Sequence, residues 1–242
     1  MSASIAYVLS TRDLSADLIR EAADKEITID IVSFIDTARV VDAMLTQRLG
    51  ELVNQPLTAI FTSTNAVTAI ESTTKPGWKI FCLSGATSRA VIEKFGEASI
   101  VATADSAKDL AAAIIGHEKP GDVHAAPNEC WFFCGDKRRE ELPESLKAAG
   151  WQVHEVIVYQ TILTPHRIDK TYDAIVFFSP SAVESFFSLN TIGPQTELFA
   201  IGKTTAAAIH AKCPNPVTIS GLPDEQTLIR TLIKSINDRT QK

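Results

Sequence analysis

The sequence has no apolar run near the roughly 20 residues that span a bilayer, so nothing in it reads as a transmembrane helix. No basic stretch precedes a long apolar core in Met1–Thr11, and its apolar part, Ile5–Leu9, is only strand-sized, so no signal peptide is expected. Cysteine is scarce: Cys82, Cys130, Cys134 and Cys213 form no C-x-x-C pair. Cys130 and Cys134 lie in an apolar strand-like run, where a period of two puts both on one face. Two thiols without nearby histidines make a poor zinc site. Buried small hydrophobes in a reducing compartment are the plainer reading, and the expected location is the cytoplasm. The histidines, His117, His124, His154, His166 and His210, share no metal spacing. Gly-x-Gly-x-x-Gly, the P-loop and the Gly-x-Ser-x-Gly elbow are all missing. The usual marks of metal, nucleotide-cofactor, hydride and nucleophilic chemistry are therefore lacking. Basic clusters are missing too: the net charge is −6 with no basic stripe, which argues against a nucleic-acid partner. A small anionic substrate stays open, because backbone N–H groups hold carboxylates even in an acidic protein.

What is present is regular alternation. The 242 residues suffice for one large domain or two ordinary ones. With 45% hydrophobic and 21% charged residues, the composition is that of a globular protein. Strands are expected at Ile5–Leu9, Ile27–Ile35, Thr58–Thr62, Lys79–Leu83, Ser99–Ala102, Cys130–Cys134, Ala174–Phe178, Leu198–Ile201 and Pro216–Ile219. Trp151–Leu163 is an extended run longer than an ordinary strand. Helices are expected at Ser15–Lys25, Val40–Leu52, Asn65–Glu71, Thr87–Phe95, Ala107–Ile115, Glu140–Ala149, Ala182–Leu189 and Thr205–Lys212, with a last one capped by Asp224. Gly116–Asn128 reads as the longest loop. Repeated βα units of this kind imply doubly wound parallel sheets.

The chain also resembles itself. Phe61-Thr-Ser-Thr-Asn-Ala-Val67 matches Phe177-Phe-Ser-Pro-Ser-Ala-Val183, with the serines 116 positions apart (179 less 63). Leu83-Ser-Gly-Ala-Thr-Ser88 matches Ala200-Ile-Gly-Lys-Thr-Thr205, with the glycines 117 apart (202 less 85). Val8–Ile35 shares a looser strand, helix, strand layout with Phe132–Gln160. These likenesses predict two similar α/β domains that are not in simple tandem. One is discontinuous, built from 1–35 and 165–242, and the other, 38–160, is inserted in it. The segments 31–37 and 156–164 serve as a two-stranded extended linker, a natural hinge, with the active site in the interdomain cleft. A single large doubly wound sheet is the alternative.

In parallel α/β sheets, ligands bind at the carboxyl ends of the strands. Four turns there stand out: Thr62-Ser63-Thr64-Asn65, Ser84-Gly85-Ala86-Thr87, Ser179-Pro180-Ser181 and Gly202-Lys203-Thr204-Thr205. Each offers first-turn N–H groups, small side chains and hydroxyls, which suit a carboxylate or phosphate. Ordinary helix capping explains any one of them as well. Arg12, after the first strand, can hold a carboxylate through two parallel hydrogen bonds, or be a solvated charge. Gly135 and Arg138 belong to a further turn, Gly135-Asp-Lys-Arg-Arg139, where some charges must simply be exposed. Tyr159, in the second crossing segment, can donate a proton to a leaving group; a packed strand aromatic is the plainer alternative.

These motifs, in this order, resemble the uroporphyrinogen-III synthase family over nearly the whole chain. Phe61–Val67 looks like the family's Phe-Thr-Ser-x-Asn-Ala-Val, and Tyr172–Val183 looks like its second copy. Ala200–Ala206 resembles Ala-Ile-Gly-x-Thr-Thr-Ala. Gly135–Leu142, followed by Leu146, Gly150, Val153 and Tyr159, resembles the family's Gly-Asp, Arg, Leu, Gly, Val, Tyr pattern, and Thr11-Arg12 matches its early Thr-Arg. Asp13 where Pro is common, Phe178 where Thr is common, and the loose Ser84-Gly85 turn depart from it. The resemblance implies a cofactor-free, monomeric lyase of tetrapyrrole (heme) biosynthesis. Its substrate would be hydroxymethylbilane, which it cyclises with loss of water and inversion of the last pyrrole through a spiro intermediate. It further implies Tyr159 as the proton donor, no membrane or nucleic-acid partner, and room for transfer of the bilane from hydroxymethylbilane synthase. A non-catalytic two-domain binding protein for a small anion is the competing class, and a regulatory domain that kept the fold without the activity is a third.

Overall fold

The computed structural model describes residues 5–71, 76–117 and 128–240. Its elements, in chain order, are β1 (Ala6–Ser10), α1 (Ala16–Ala23), β2 (Ile27–Ile31), β3 (Ile35–Arg39), α2 (Ala43–Val53), β4 (Thr58–Phe61), α3 (Thr64–Ala69), β5 (Lys79–Leu83), α4 (Ala86–Phe95), β6 (Ile100–Ala104) and α5 (Ala107–His117). They continue as β7 (Glu129–Gly135), α6 (Glu141–Ala148), β8 (Gln152–Leu163), β9 (Ala174–Phe177), α7 (Pro180–Leu189), β10 (Glu197–Ala200), α8 (Lys203–His210), β11 (Val217–Ile219) and α9 (Glu225–Thr240). Of the loop expected at Gly116–Asn128, residues 118–127, including Pro120, Gly121, His124 and Pro127, lie outside the described residues. Gly116 and His117 end α5.

The chain divides into two compact units, 1–36 with 162–242 and 37–161. In the first, five parallel strands run in the order β11-β10-β9-β1-β2. Numbered by their own sequence, this is 2-1-3-4-5 read from the other edge, a doubly wound order whose direction reverses between β1 and β9. Helices cover both faces, so β9 is buried at all four positions and reads as a continuous apolar run. On one face Val8, Ile27 and Phe199 pack beneath Leu18 of α1 and Leu228, Leu232 and Ile236 of α9. On the other, Leu9, Phe177 and Leu198 pack beneath Val183 and Phe186 of α7 and Ile209 of α8.

The second unit repeats the plan with its segments permuted. Its sheet runs β3-β8-β7-β4-β5-β6. If β7-α6-β8 is taken as the first βαβ and β4 to β6 as the rest, the order is again 2-1-3-4-5. That is the structural content of the likeness between Val8–Ile35 and Phe132–Gln160. The switch point here lies between β7 and β4. One face carries Phe61, Trp78, Phe95, Phe133 and Val156. Phe61 stacks on Phe133 at 5.2 Å between ring centres and Trp78 on Phe133 at 5.1 Å. The Trp78 indole N–H donates to the Leu52 carbonyl at 3.0 Å, so this large aromatic leaves no polar atom unpaired. The other face carries Ile60, Phe81, Leu110, Phe132 and Leu142, with Cys130 and Cys134 together on it. Burial pushes the Cys130 and Cys134 thiols up to about 12 and the Cys82 thiol up to about 11.

One element differs from expectation. Ile27–Ile35 is expected as one strand, with 31–37 as an extended linker before a helix from Val40. Instead β2 stops at Ile31 and a separate strand, β3, follows on the other sheet. β3 is Ile-Asp-Thr-Ala-Arg, a polar edge strand whose composition shows no buried face. Its partner is β8, and the pairing is antiparallel: the Thr164 N–H donates to the Phe34 carbonyl and the Val40 N–H to the Val158 carbonyl, both at 3.0 Å.

Candidate functional site

The second unit assembles a site around Tyr159. Three features of the backbone set it there. The β7–β8 ladder pairs Cys134 with Ile157 but Gly135 with Tyr159, so one residue of β8, Val158, is extra at this point. Side chains alternate across a strand, so this bulge moves Tyr159 to the face shared by Phe133 and Val156. Without it, Val158 would sit opposite Gly135 and the phenol would face the other side. Second, Gly135 leaves room for the ring. A Cβ at Gly135 would lie 2.5 Å from Tyr159 Cε2 and Cζ and 2.9 Å from its Oη, so only glycine fits. Third, Asp136 fastens the strand: its N–H donates to the Tyr159 carbonyl at 3.2 Å, and its carboxylate accepts the Thr161 N–H at 2.8 Å.

Counting between the two β3–β8 hydrogen bonds puts Arg39 opposite Tyr159 on the other flank, in a non-hydrogen-bonded pair, where side chains approach most closely. Tyr159, Arg39, Thr37 and Ala38 then line a pocket of about 120 Å³ with Asn65, Thr68 and Ala69 of α3. The half-buried Arg39 guanidinium pairs with the exposed carboxylate of Glu71. Lys94 of α4 donates to the Thr68 carbonyl at 3.1 Å. Burial, and after it the positive charge of Arg39, hold the Lys94 ammonium below its ordinary value.

The four turns at the strand ends fall into two kinds. Ser63 and Ser179 cap α3 and α7: Ser63 Oγ accepts from the Asn65 N–H at 3.2 Å and Ser179 Oγ from the Ala182 N–H at 3.1 Å. Thr62 and Thr64 flank the first cap; Pro180, at the start of α7, and Ser181 follow the second. By contrast, α4 and α8 start from Gly85 and Gly202, with no side-chain cap. Gly85 has φ 77°, a left-handed conformation that favours glycine. Thr87 and Thr205 are buried, at 7% and 1% exposure. What these two turns present outward is therefore backbone N–H with Ser84, Ala86, Lys203 and Thr204.

Arg12 follows β1 at the first unit's switch point. Ser10 Oγ donates to the Arg12 carbonyl at 2.7 Å and Thr11 Oγ1 to the Val176 carbonyl at 2.8 Å, which fixes the strand's exit. The Arg12 guanidinium lies 4.4 Å above the Phe178 ring and donates to Glu225 at 2.6 Å. Phe178, the residue that departs from the motif, is thus its platform. Burial opposes the Glu225 charge, but the Ser15 N–H and Arg12 outweigh it and hold that carboxyl below its usual range. Arg138 is not gathered with Tyr159. It pairs with Glu155 and, at 3.4 Å, with Glu140. Glu155 is opposite Phe132 in the ladder, on the α6 side of the sheet, and also accepts from Lys147 at 2.8 Å. Sequence reasoning missed Arg39, Thr68 and Lys94. A lone arginine between an expected strand and an expected helix carries no motif, and no residue pattern announces the bulge that aims Tyr159 at it.

Among the described residues no helix is long and apolar enough to cross a membrane. Comparison with curated protein sequences gives no match. The structure is similar to uroporphyrinogen-III synthetase from Helicobacter pylori 26695, with TM-score 0.63 and 14% identity over 95% of this chain and 99% of that one. It is also similar to a mutant uroporphyrinogen III synthase from the extremely thermophilic bacterium Thermus thermophilus, with TM-score 0.57 and 16% identity over 98% and 99% of the two chains. At such identities the likeness speaks to the fold, which is the two-sheet α/β plan described above. The family profile described as Uroporphyrinogen-III synthase HemD matches residues 16–230, most of the sequence and both units. The chain belongs to the uroporphyrinogen-III synthase family.

Proposed function

We propose that the chain is an active uroporphyrinogen-III synthase, a cyclising lyase of tetrapyrrole biosynthesis whose substrate is hydroxymethylbilane. The observation that carries the reading, beside family membership, is the phenol of Tyr159, held by Gly135, Asp136 and the β8 bulge at a pocket with a cationic wall. The hydroxymethyl C–O bond breaks as the Tyr159 Oη–H gives its proton to the departing oxygen, and water leaves. The resulting electron-poor carbon is attacked by the substituted position of the last pyrrole. The spiro intermediate then opens and recloses with that ring inverted, a proton is lost, and water later restores the one on Tyr159.

Most of the acceleration asked of the protein is positional, because the flexible bilane must be bent until the inverting attack is the nearest one. The bilane is a polycarboxylate. The uncapped first turns at Gly85 and Gly202 and the polar turns at Ser63 and Ser179 are proposed to hold its carboxylates through backbone N–H groups. Arg12 and Arg138 are proposed as weaker contributors, since each already has an acidic partner.

The test is an assay with enzymatically generated hydroxymethylbilane that resolves isomers I and III. Isomer III in excess of the spontaneous product is expected. Isomer I alone from a folded protein would refute the activity. Tyr159→Phe should lower kcat about 10²- to 10⁴-fold, the range of a lost general acid, with little change in melting temperature. Wild-type turnover by that variant would remove Tyr159 from the chemistry.

A further inference from the structure

We propose that Arg39, with Lys94 behind it, is a carboxylate-docking site beside Tyr159, and that Glu71 occupies it as an internal competitor until substrate arrives. The inference rests on the polycarboxylate reading above and adds residues to it. Arg39 is a substrate-binding residue: one substrate carboxylate would seat on its guanidinium, equally in the ground state and the transition state.

Four observations converge. Arg39 and Tyr159 line one pocket of about 120 Å³, room for a carboxylate and its methylene. Among the described residues, its remaining lining, Thr37, Asn65, Thr68 and Ala69 included, brings no acidic side chain into the pocket. A second cation stands behind this wall: Lys94 reaches it through the Thr68 carbonyl, and Arg39 is near enough to disfavour the Lys94 charge. Two cations this near repel each other, an arrangement that favours an anion beside them. Finally, Glu71, the acidic partner of Arg39, comes from outside the pocket lining. The Glu71 side chain is 74% exposed, while that of Arg39 is 28% exposed. An ion pair with so solvated a carboxylate is weak and is readily exchanged for another carboxylate.

The three side chains predict opposite kinetic signs. Losing the guanidinium removes a charge-assisted hydrogen bond, so Arg39→Gln should raise KM for hydroxymethylbilane about tenfold or more, with kcat within about twofold. Lys94→Gln should raise KM by a smaller factor, about threefold, because its charge acts at longer range. Glu71→Gln frees the guanidinium and should lower KM about two- to fivefold. Added salt should weaken binding to the wild type more steeply than to Arg39→Gln. A purely structural Arg39–Glu71 pair predicts something else: both variants melt lower and neither KM moves. That result, or a rise in KM for Glu71→Gln, overturns the proposal. Glu71→Gln keeps Arg39 in place, so it decides the matter even where Arg39→Gln fails to fold. A wild-type protein that makes no isomer III removes the activity and this site with it; an active wild type with an unmoved KM in both variants removes only this site.

Discussion

Replacing Gly135 by alanine tests the positioning of Tyr159 without touching its hydroxyl. The added Cβ would lie 2.5 Å from two ring carbons and 2.9 Å from the phenol oxygen. Carbon atoms rest at about 3.5–4.0 Å, so the ring or the strand must yield by roughly 1 Å. β7 cannot give way easily, because it is hydrogen-bonded to β8 on one side and β4 on the other and packed on both faces. The ring therefore moves outward, toward Arg39. Overpacking of this kind costs about 1–3 kcal/mol of stability. A displacement of about 1 Å at a catalytic group costs about 10²-fold in rate. The assay is kcat for isomer III formation, with a denaturant melt on the same preparations. In a Tyr159→Phe background the same glycine change should cost little further in kcat, since the proposed proton donor is already gone, while the clash with the ring remains in the melt. In a Tyr159→Ala background the stability cost should largely disappear. A folded Gly135→Ala protein with kcat within about twofold of wild type refutes the argument that this contact positions a catalytic phenol.

Gly202→Ser should separate capping from substrate binding. Gly202 is extended at φ −174° and a Cβ there meets nothing within 4 Å, so serine fits and caps α8. Stability should rise by roughly a few tenths of a kcal/mol while KM rises, because the new oxygen occupies an N–H proposed to hold a substrate carboxylate; an unchanged KM argues against that turn as a carboxylate site. Ser179→Ala should cost about 1 kcal/mol in a denaturant melt by uncapping α7, with only a mild effect on kcat. The Glu155 carboxylate is disfavoured by burial, yet hydrogen bonds from Lys147 and Arg138 outweigh this and hold its pKa below the ordinary 4.5. A depressed folded pKa means stability present above about 4.5 and lost as pH falls through the lower folded value, so Glu155→Gln should flatten the acid limb of a stability–pH curve, and an unchanged limb would contradict the assignment. Native-state alkylation at about pH 8 should spare Cys82, Cys130 and Cys134, whose thiols stay protonated and buried, and modify the half-buried Cys213 first; rapid labelling of Cys130 would contradict the packing.

Where the two faces of a strand are both covered, the sequence announces it. Ala174-Ile-Val-Phe177 and Thr58-Ala-Ile-Phe61 read directly as buried parallel strands and are so. The doubly wound class was legible for the same reason, and the displaced likeness of Val8–Ile35 to Phe132–Gln160 shows in the structure as the same βαβ at the start of each sheet's order. β3 was expected only as an extended segment, 31–37, and not as a strand reaching Arg39, because an edge strand needs only backbone pairing and its Asp36, Thr37 and Arg39 carry no alternation toward a core. The site was legible only in part. Glycine and serine turns have local signatures, but the face that Tyr159 takes depends on one residue of β8 without a partner in β7, and the partner chosen by Arg138 depends on α6 packing beside Glu155. Both are outcomes of tertiary register, which a linear pattern does not encode.

The nesting of the chain also shapes its birth on the ribosome. β1 needs β9 as a neighbour, yet 142 residues separate Ile31, the end of β2, from Ala174 (174 less 31, less one). At about 5–20 residues per second, the opening βαβ waits for roughly 7–30 s with one flank of its sheet unmatched. Meanwhile the whole inserted unit emerges and can close on itself. Synthesis therefore finishes the second unit before the first, and the nascent N-terminal segment spends that interval with an open strand edge.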